Sequence, residues 1–294
     1  MSPKLGRNLS DLTGQFRFVP REAGRPPEPP SLRDLPTRIL CVTSGKGGTG
    51  KSVLTSNLAV DLALRGKRVL VVDADLGLAN LHLLLGISPR RNLHHALSGS
   101  LAFREIAEKG PEGVCLIPGP SGVAELADLS SRDLAHLIGE TARMSEGFDL
   151  ALVDTAAGIS RMTTAFVYAA REVIMVTTPD LTAMTDAYAT IKTALRHNPS
   201  AVISVVVNRA RSSGQAWEVF QTLDGIAGKF LRRRLCYLGY LPEDDTVRRA
   251  VSAKTPAVLM EPESAVALRI REIGSTLFPA EVGEGVVSGE EAPG

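Results

Sequence analysis

From Arg38 onward the chain alternates short apolar runs with longer stretches in which apolar residues recur every three to four positions. The first period selects buried strands and the second amphipathic helices. Apolar runs fall at 38–43, 68–73, 113–117, 149–154, 172–177, 201–208 and 235–239, and most are rich in Val, Ile and Leu, the composition of strands covered on both faces. Helical spacing falls between them, notably at 51–65, 131–144, 181–195, 214–229 and 263–276. Strand alternating with helix is the sequence form of a parallel sheet. The pattern predicts a doubly wound α/β domain, with a mostly parallel sheet of seven or eight strands flanked by helices.

The pattern holds only within limits. Residues 1–36 carry seven of the 18 prolines, concentrated in Gly24-Arg-Pro-Pro-Glu-Pro-Pro30. This forbids helix and lacks strand periodicity, so it reads as a flexible, polyproline-like arm. Residues 279–294 are predicted to be a disordered acidic tail, because 281–294 holds four glutamates and four glycines. That leaves 37–278 as one domain.

Composition removes several classes of function. With 33 Lys+Arg against 32 Asp+Glu, no global field draws the chain to nucleic acid or an anionic membrane, so such binding needs a local patch. Aromatic residues are only 4%, which argues against base-stacking platforms. Cys41, Cys115 and Cys236 lie far apart, which signals neither a disulfide framework nor a zinc or iron–sulfur site, and Cys41 and Cys236 are expected inside buried strands. No apolar run follows the basic N-terminal residues and none reaches membrane-spanning length, so a cytoplasmic protein is expected.

The strongest motif follows the first strand directly: Gly45-Lys46-Gly47-Gly48-Thr49-Gly50-Lys51-Ser52. A glycine-rich turn between strand and helix lets backbone N–H groups cradle phosphates, with the helix N-terminus adding partial positive charge. Lys51 is placed to reach the β- and γ-phosphates of a nucleotide, and Ser52 to bind Mg²⁺. Asp73 ends the second strand, Asp75 lies in the loop after it, and Asp154 ends the fourth, positions where ligands bind in open α/β sheets.

The second lysine, Lys46, makes the loop resemble the deviant Walker A sequence, Lys-Gly-Gly-x-x-Gly-Lys-[Ser/Thr], of the MinD/ParA family of ATPases. The resemblance covers roughly 37–278. It implies an ATP-dependent homodimer in which Lys46 reaches the partner's phosphates. It also implies that Asp75 orients the attacking water, that Asp73 and Asp154 support Mg²⁺, and that Gly158 lets the following loop track the γ-phosphate. By the same resemblance Asn208 reads the adenine edge, and the loop containing Pro242 and Glu243 contacts the purine through backbone groups.

Within that family, three stretches are similar to the MinD-like flagellar-number regulators of FlhG, FleN and YlxH type: Asp73-Ala-Asp-Leu-Gly-Leu-Ala-Asn-Leu81, Thr177-Thr-Pro-Asp-Leu-Thr-Ala-Met-Thr-Asp-Ala-Tyr188 and Tyr237-Leu-Gly-Tyr-Leu-Pro-Glu-Asp244. This implies slow ATP hydrolysis used to position a polar or midcell structure, with flagellar number first and a division site or chromosome second. The protein would then sit in the cytoplasm, at a pole, at midcell or on the nucleoid.

The chain departs from the pattern in three places. His82 stands where an aspartate is usual and is expected to be structural or exposed. Asp11-Leu-Thr-Gly-Gln-Phe16-Arg17 keeps only the acidic, apolar and basic ends of the subfamily's GTPase-activating element, through which an N-terminal arm would meet a flagellar GTPase. The end of the chain is acidic rather than a basic amphipathic helix, which disfavours direct membrane binding. A competing reading is an ATPase that rides on DNA without sequence preference, using Arg209, Arg211, Arg232, Arg233, Arg234, Arg248, Arg249 and Lys254. A metabolic P-loop enzyme is the remaining alternative.

Overall fold

A computed structural model describes residues 32, 35, 37–120 and 129–279. The Asp11 to Arg17 element, the Pro-rich segment and the acidic tail lie outside the described residues. Eight strands form one sheet: β1 (Arg38–Ser44), β2 (Val69–Ala74), β3 (Glu108–Lys109), β4 (Cys115–Ile117), β5 (Leu150–Thr155), β6 (Glu172–Thr177), β7 (Val202–Ala210) and β8 (Cys236–Pro242). Their order is β3-β4-β2-β5-β1-β6-β7-β8, parallel throughout except for the β3–β4 pair.

Among the described residues ten α-helices accompany them: α1 (Lys51–Leu64), α2 (Leu81–Leu84), α3 (Leu93–Leu97), α4 (Ser131–Ser145), α5 (Arg161–Ala169), α6 (Leu181–His197), α7 (Ser213–Leu231), α8 (Asp245–Ser252), α9 (Ala257–Met260) and α10 (Ala265–Leu277). All seven expected strands and all five expected long helices are present. The pattern missed β3, whose two charged residues are strand only because β4 pairs with them. It also missed α5 and α8, both too short for the period to show. Each starts at an N-cap: Ser160 accepts from Thr163 N, and Asp244 from Thr246 N.

Alternation along each strand fills two apolar layers. Ile39 and Cys41 of β1 join Val153, Met175 and Val205 under α4 to α7, whereas Leu40 and Val42 join Leu152, Ile174 and Val206 under α1, α9 and α10. Burial on both faces explains why these strands read as continuous apolar runs. β8 is the exception, because it closes the sheet. Cys236 there is exposed, not buried as expected, while Cys41 is fully enclosed. The base of β1 is tied down by Thr37 Oγ1 donating to Ser145 O and by Arg38, which pairs with Glu172 and lies over the Phe278 ring. Chain order puts β1 beside both β5 and β6, so every loop leaving the C-terminal ends of β1, β2, β5, β7 and β8 opens on one edge of the sheet.

Candidate nucleotide-binding site

Residues 45–50 join β1 to α1 at that edge. Gly50, the N-cap of α1, has φ 88° and gives no side-chain cap, and the first turn of α1 contains no acid. The helix therefore presents bare N–H groups and an uncancelled dipole to the loop, the arrangement that receives an anion. Lys46, Gly47 and Gly48 are exposed, and a Cβ on Gly48 would meet nothing within 4 Å. Gly45 is different, since a Cβ there would lie 2.2 Å from the backbone carbonyl carbon of Asp186, so the loop begins in direct contact with the α6 backbone. Gly45→Ala is expected to destabilise the fold by about 3 kcal/mol or more, because backbone rather than a mobile side chain must move. A melting curve at neutral pH checks this.

Below the loop, Lys51 is buried and its Nζ lies 3.0 Å from Asp154 Oδ1 and 3.3 Å from Ser52 Oγ. Ser52 donates to Asp154 Oδ2 at 2.6 Å, and Thr55 donates to Asp154 Oδ1 at 3.1 Å. Thr55 lies outside the phosphate-loop motif, and its place one turn after Lys51 on the same helix is the signal that finds it. Asp73 sits opposite Asp154 in the β2–β5 register. It accepts Asp75 N on Oδ1 and Leu81 N on Oδ2, which fastens both ends of the loop between β2 and α2.

Burial, reinforced by the charge of Asp154, pushes the Asp73 carboxyl up to about 8. Burial also raises Asp154, against the opposing charge of Lys51. Two enclosed carboxyl groups with a serine hydroxyl beside them form a hard-oxygen set that a divalent cation would relieve. Among the described residues no three His, Cys, Asp or Glu side chains converge on a metal position. The set therefore fits an ion that takes one or two carboxylates and completes its shell with phosphate oxygens and water, as Mg²⁺ does.

The remaining predicted residues fall around this centre. Asp75 is half-buried and accepts Leu78 N on Oδ1 at 3.1 Å, holding no bond to Lys51, Ser52 or Asp154 among the described residues. Gly158, at φ 80°, donates its N–H to Ser44 O at 2.8 Å, so the loop after β5 is latched to the end of β1. Lys46 Nζ contacts Thr182 Oγ1 at 3.3 Å at the start of α6. Asn208 donates to Thr49 O at 2.7 Å and accepts Arg209 N at 2.8 Å, so its amide already braces the phosphate loop. One donor hydrogen and one lone pair remain for a base. Pro242 and Glu243 lie beside it, with Pro242 in register with Ala210 at the end of β7.

The basic residues do not form one surface. Arg209 is the penultimate residue of β7, Arg211 follows that strand, and Arg248, Arg249 and Lys254 follow β8, all at or beyond the C-terminal ends of the strands. Arg232, Arg233 and Arg234 precede β8 and lie at the opposite edge of the sheet. Arg234, Arg248 and Arg249 are paired with Asp224, Asp245 and Glu261. His82, half-buried on α2, has an unpartnered Nδ1, and burial together with Lys254 holds its imidazole below the usual range. No helix among the described residues is long and apolar enough to cross a membrane.

Comparison with known proteins places these features in context. The model for the CobQ/CobB/MinD/ParA nucleotide-binding domain matches residues 40–257. The antiactivator FleN of Pseudomonas aeruginosa is 38% identical over 238 residues, which is 81% of this chain and 85% of that protein. The flagellum site-determining protein YlxH of Helicobacter pylori is 34% identical over 242 residues, 82% of each. Among solved structures, the septum site-determining protein MinD of Pyrococcus horikoshii, in complex with Mg-ADP, superposes with a TM-score of 0.71 at 27% identity, covering 83% of this chain and 96% of that one.

Proposed function

The chain belongs to the CobQ/CobB/MinD/ParA nucleotide-binding family, and from that premise we propose that it is an ATP-dependent dimerising switch that hydrolyses ATP slowly and sets the number or placement of flagella. The observation that carries this reading is the rim of the loop. Leu78, Ile159 and Leu181 are 75%, 61% and 79% exposed, and with Lys46 they come from four segments around the phosphate site. Large apolar side chains left in solvent beside a ligand site support burial against a second copy once nucleotide is bound.

In this reading the loop amides and Lys51 bind the β- and γ-phosphates, so Lys51 exchanges Asp154 for phosphate oxygens. Ser52, Asp73 and Asp154 would hold Mg²⁺, which when bound supplies charge neutralisation for the phosphates. Asp75 orients the water for attack on the γ-phosphate. Lys46 leaves Thr182 and reaches the partner's phosphates, so only the triphosphate state rewards association. Asn208 and the segment at Pro242 and Glu243 receive the adenine. Positioning without a strong base gives slow turnover, which leaves room for a stimulating partner protein at the pole.

The identity and coverage of FleN and YlxH support flagella as the structure being placed. Division of the basic residues between two edges of the sheet weighs against DNA as the supporting surface. The test is in cells of the organism that carries the chain, with fluorescently tagged wild type and Asp75→Ala protein. Polar or otherwise localised protein with altered flagellar number in the variant is expected. Diffuse protein in both strains with normally placed flagella would contradict the reading.

A further inference from the structure

The pairing of β7 with β8 breaks beside the phosphate loop. Val207 and Ala210 of β7 pair with Tyr240 and Pro242 of β8, so three steps along one strand match two along the other, and the segment at Asn208 and Arg209 holds an extra residue. Arg209 has φ 55°, in the left-handed region that an arginine adopts only at a cost in strain. A bulge of this kind weakens the ladder and re-aims a side chain.

Here the re-aimed side chain is Asn208, which is 8% exposed. Its Oδ1 accepts the N–H of Arg209 at 2.8 Å, and its Nδ2 donates to Thr49 O at 2.7 Å. The first bond fixes which end of the amide faces the loop, and the second holds the carbonyl that precedes Gly50. In a planar trans peptide the C=O and N–H point in opposite directions, so holding Thr49 O turns the Gly50 N–H away from Asn208. Gly50 stands directly against the amide. A Cβ there would lie 2.1 Å from Nδ2, and φ 88° already reserves the position for glycine.

We propose that the bulge at Asn208 and Arg209 positions the phosphate loop. By holding Thr49 O it presets the Gly50 N–H for phosphate oxygens, so affinity for the phosphate chain depends on this segment whatever base is attached. The inference rests on the reading of 45–52 as a phosphate loop. A loop with Gly45, Gly47, Gly48 and Gly50 has wide backbone freedom, and ordering it on a ligand would cost conformational entropy that a turn held in advance avoids. Asn208 is then a positioning residue, acting through Thr49 and Gly50. Arg209 acts through its backbone and not through its charge, because its left-handed conformation is what lets the preceding amide turn to the loop.

Wild type, Asn208→Ala, Arg209→Val and Arg209→Gly test this, each with a melting curve of the nucleotide-free protein. The probe is inorganic tripolyphosphate with Mg²⁺, which carries neither base nor ribose, measured by calorimetry beside Mg-ATP. Affinities are taken well below every melting point, so that a merely looser fold leaves them unchanged. Arg209→Val forces a β-branched residue into a positive φ, whereas glycine adopts it freely, and both variants remove the same charge. Tripolyphosphate affinity is expected to fall about tenfold in Asn208→Ala and Arg209→Val, the effect of losing one buried hydrogen bond, and to stay within about threefold of wild type in Arg209→Gly. Amide hydrogen exchange of 46–50 without nucleotide should quicken about tenfold in the same two variants. Equal tripolyphosphate affinity in wild type and Asn208→Ala, or equal loop exchange, would overturn the proposal. Equal loss in Arg209→Val and Arg209→Gly would also overturn it, assigning the effect to the guanidinium. A wild type that fails to bind Mg-ATP would instead overturn the phosphate-loop reading itself.

Discussion

Lys51→Ala is expected to abolish ATP binding and, separately, to lower the melting temperature of the nucleotide-free protein. Lys51 and Asp154 have side chains that are 8% and 1% exposed, and Asp73 lies beside them in the strand register. Removing the ammonium leaves two enclosed carboxyl groups with no compensating charge, at a cost of about 3–5 kcal/mol. For a domain of this size that is a loss of about 10 °C in melting temperature. ATP affinity should fall by about a hundredfold or more, because a charge-assisted contact to phosphate is lost as well. Adding Asp154→Asn to Lys51→Ala separates the two effects. The double variant should recover much of the apo melting temperature and none of the ATP binding, as followed by melts with and without nucleotide. Recovery of both would mean that Lys51 acts only on the fold.

Asp75→Ala is expected to behave in the opposite way. The Asp75 carboxylate accepts Leu78 N and forms no hydrogen bond or ion pair with Lys51, Ser52 or Asp154 among the described residues. ATP affinity should therefore stay within about threefold of wild type, while phosphate release falls by about 10²–10³-fold with the loss of water positioning. On the proposed switch, binding without hydrolysis should then hold the protein as a dimer. Loss of ATP affinity as deep as that of Lys51→Ala would contradict the role given to Asp75.

The contrast between these two residues shows what a sequence reveals. Lys51 and Ser52 belong to one unbroken motif, and Asp154 closes an apolar run, so local spacing identifies all three. The salt bridge and hydrogen bonds that join them across about a hundred residues follow from the parallel register of β1, β2 and β5, which the alternation of runs already implies. The sheet itself was legible because most of its strands are buried on both faces and read as continuous apolar runs.

What the sequence concealed depends on tertiary geometry. Nothing local to Asn208 says that its amide turns to Thr49 O, 159 residues away, and so braces the loop. The arginines mislead because they are close in sequence. The passage from α7 into β8 carries Arg232, Arg233 and Arg234 to the edge of the sheet opposite Arg209 and Arg211. Cys236 looked buried because its run is apolar, yet it begins the last strand, and edge position is set by sheet order rather than by composition.

The central claim is that ATP, and not ADP, joins two copies across their phosphate loops through Lys46. Light scattering coupled to size exclusion tests it directly, on wild type and Lys46→Ala, each with Mg-ADP and with a non-hydrolysable ATP analogue. The account predicts a doubling of mass for the wild type with the analogue only, and monomer under every condition for Lys46→Ala, with analogue binding retained because Lys51 still holds the phosphates. The same wild-type mass with ADP and with the analogue would contradict it.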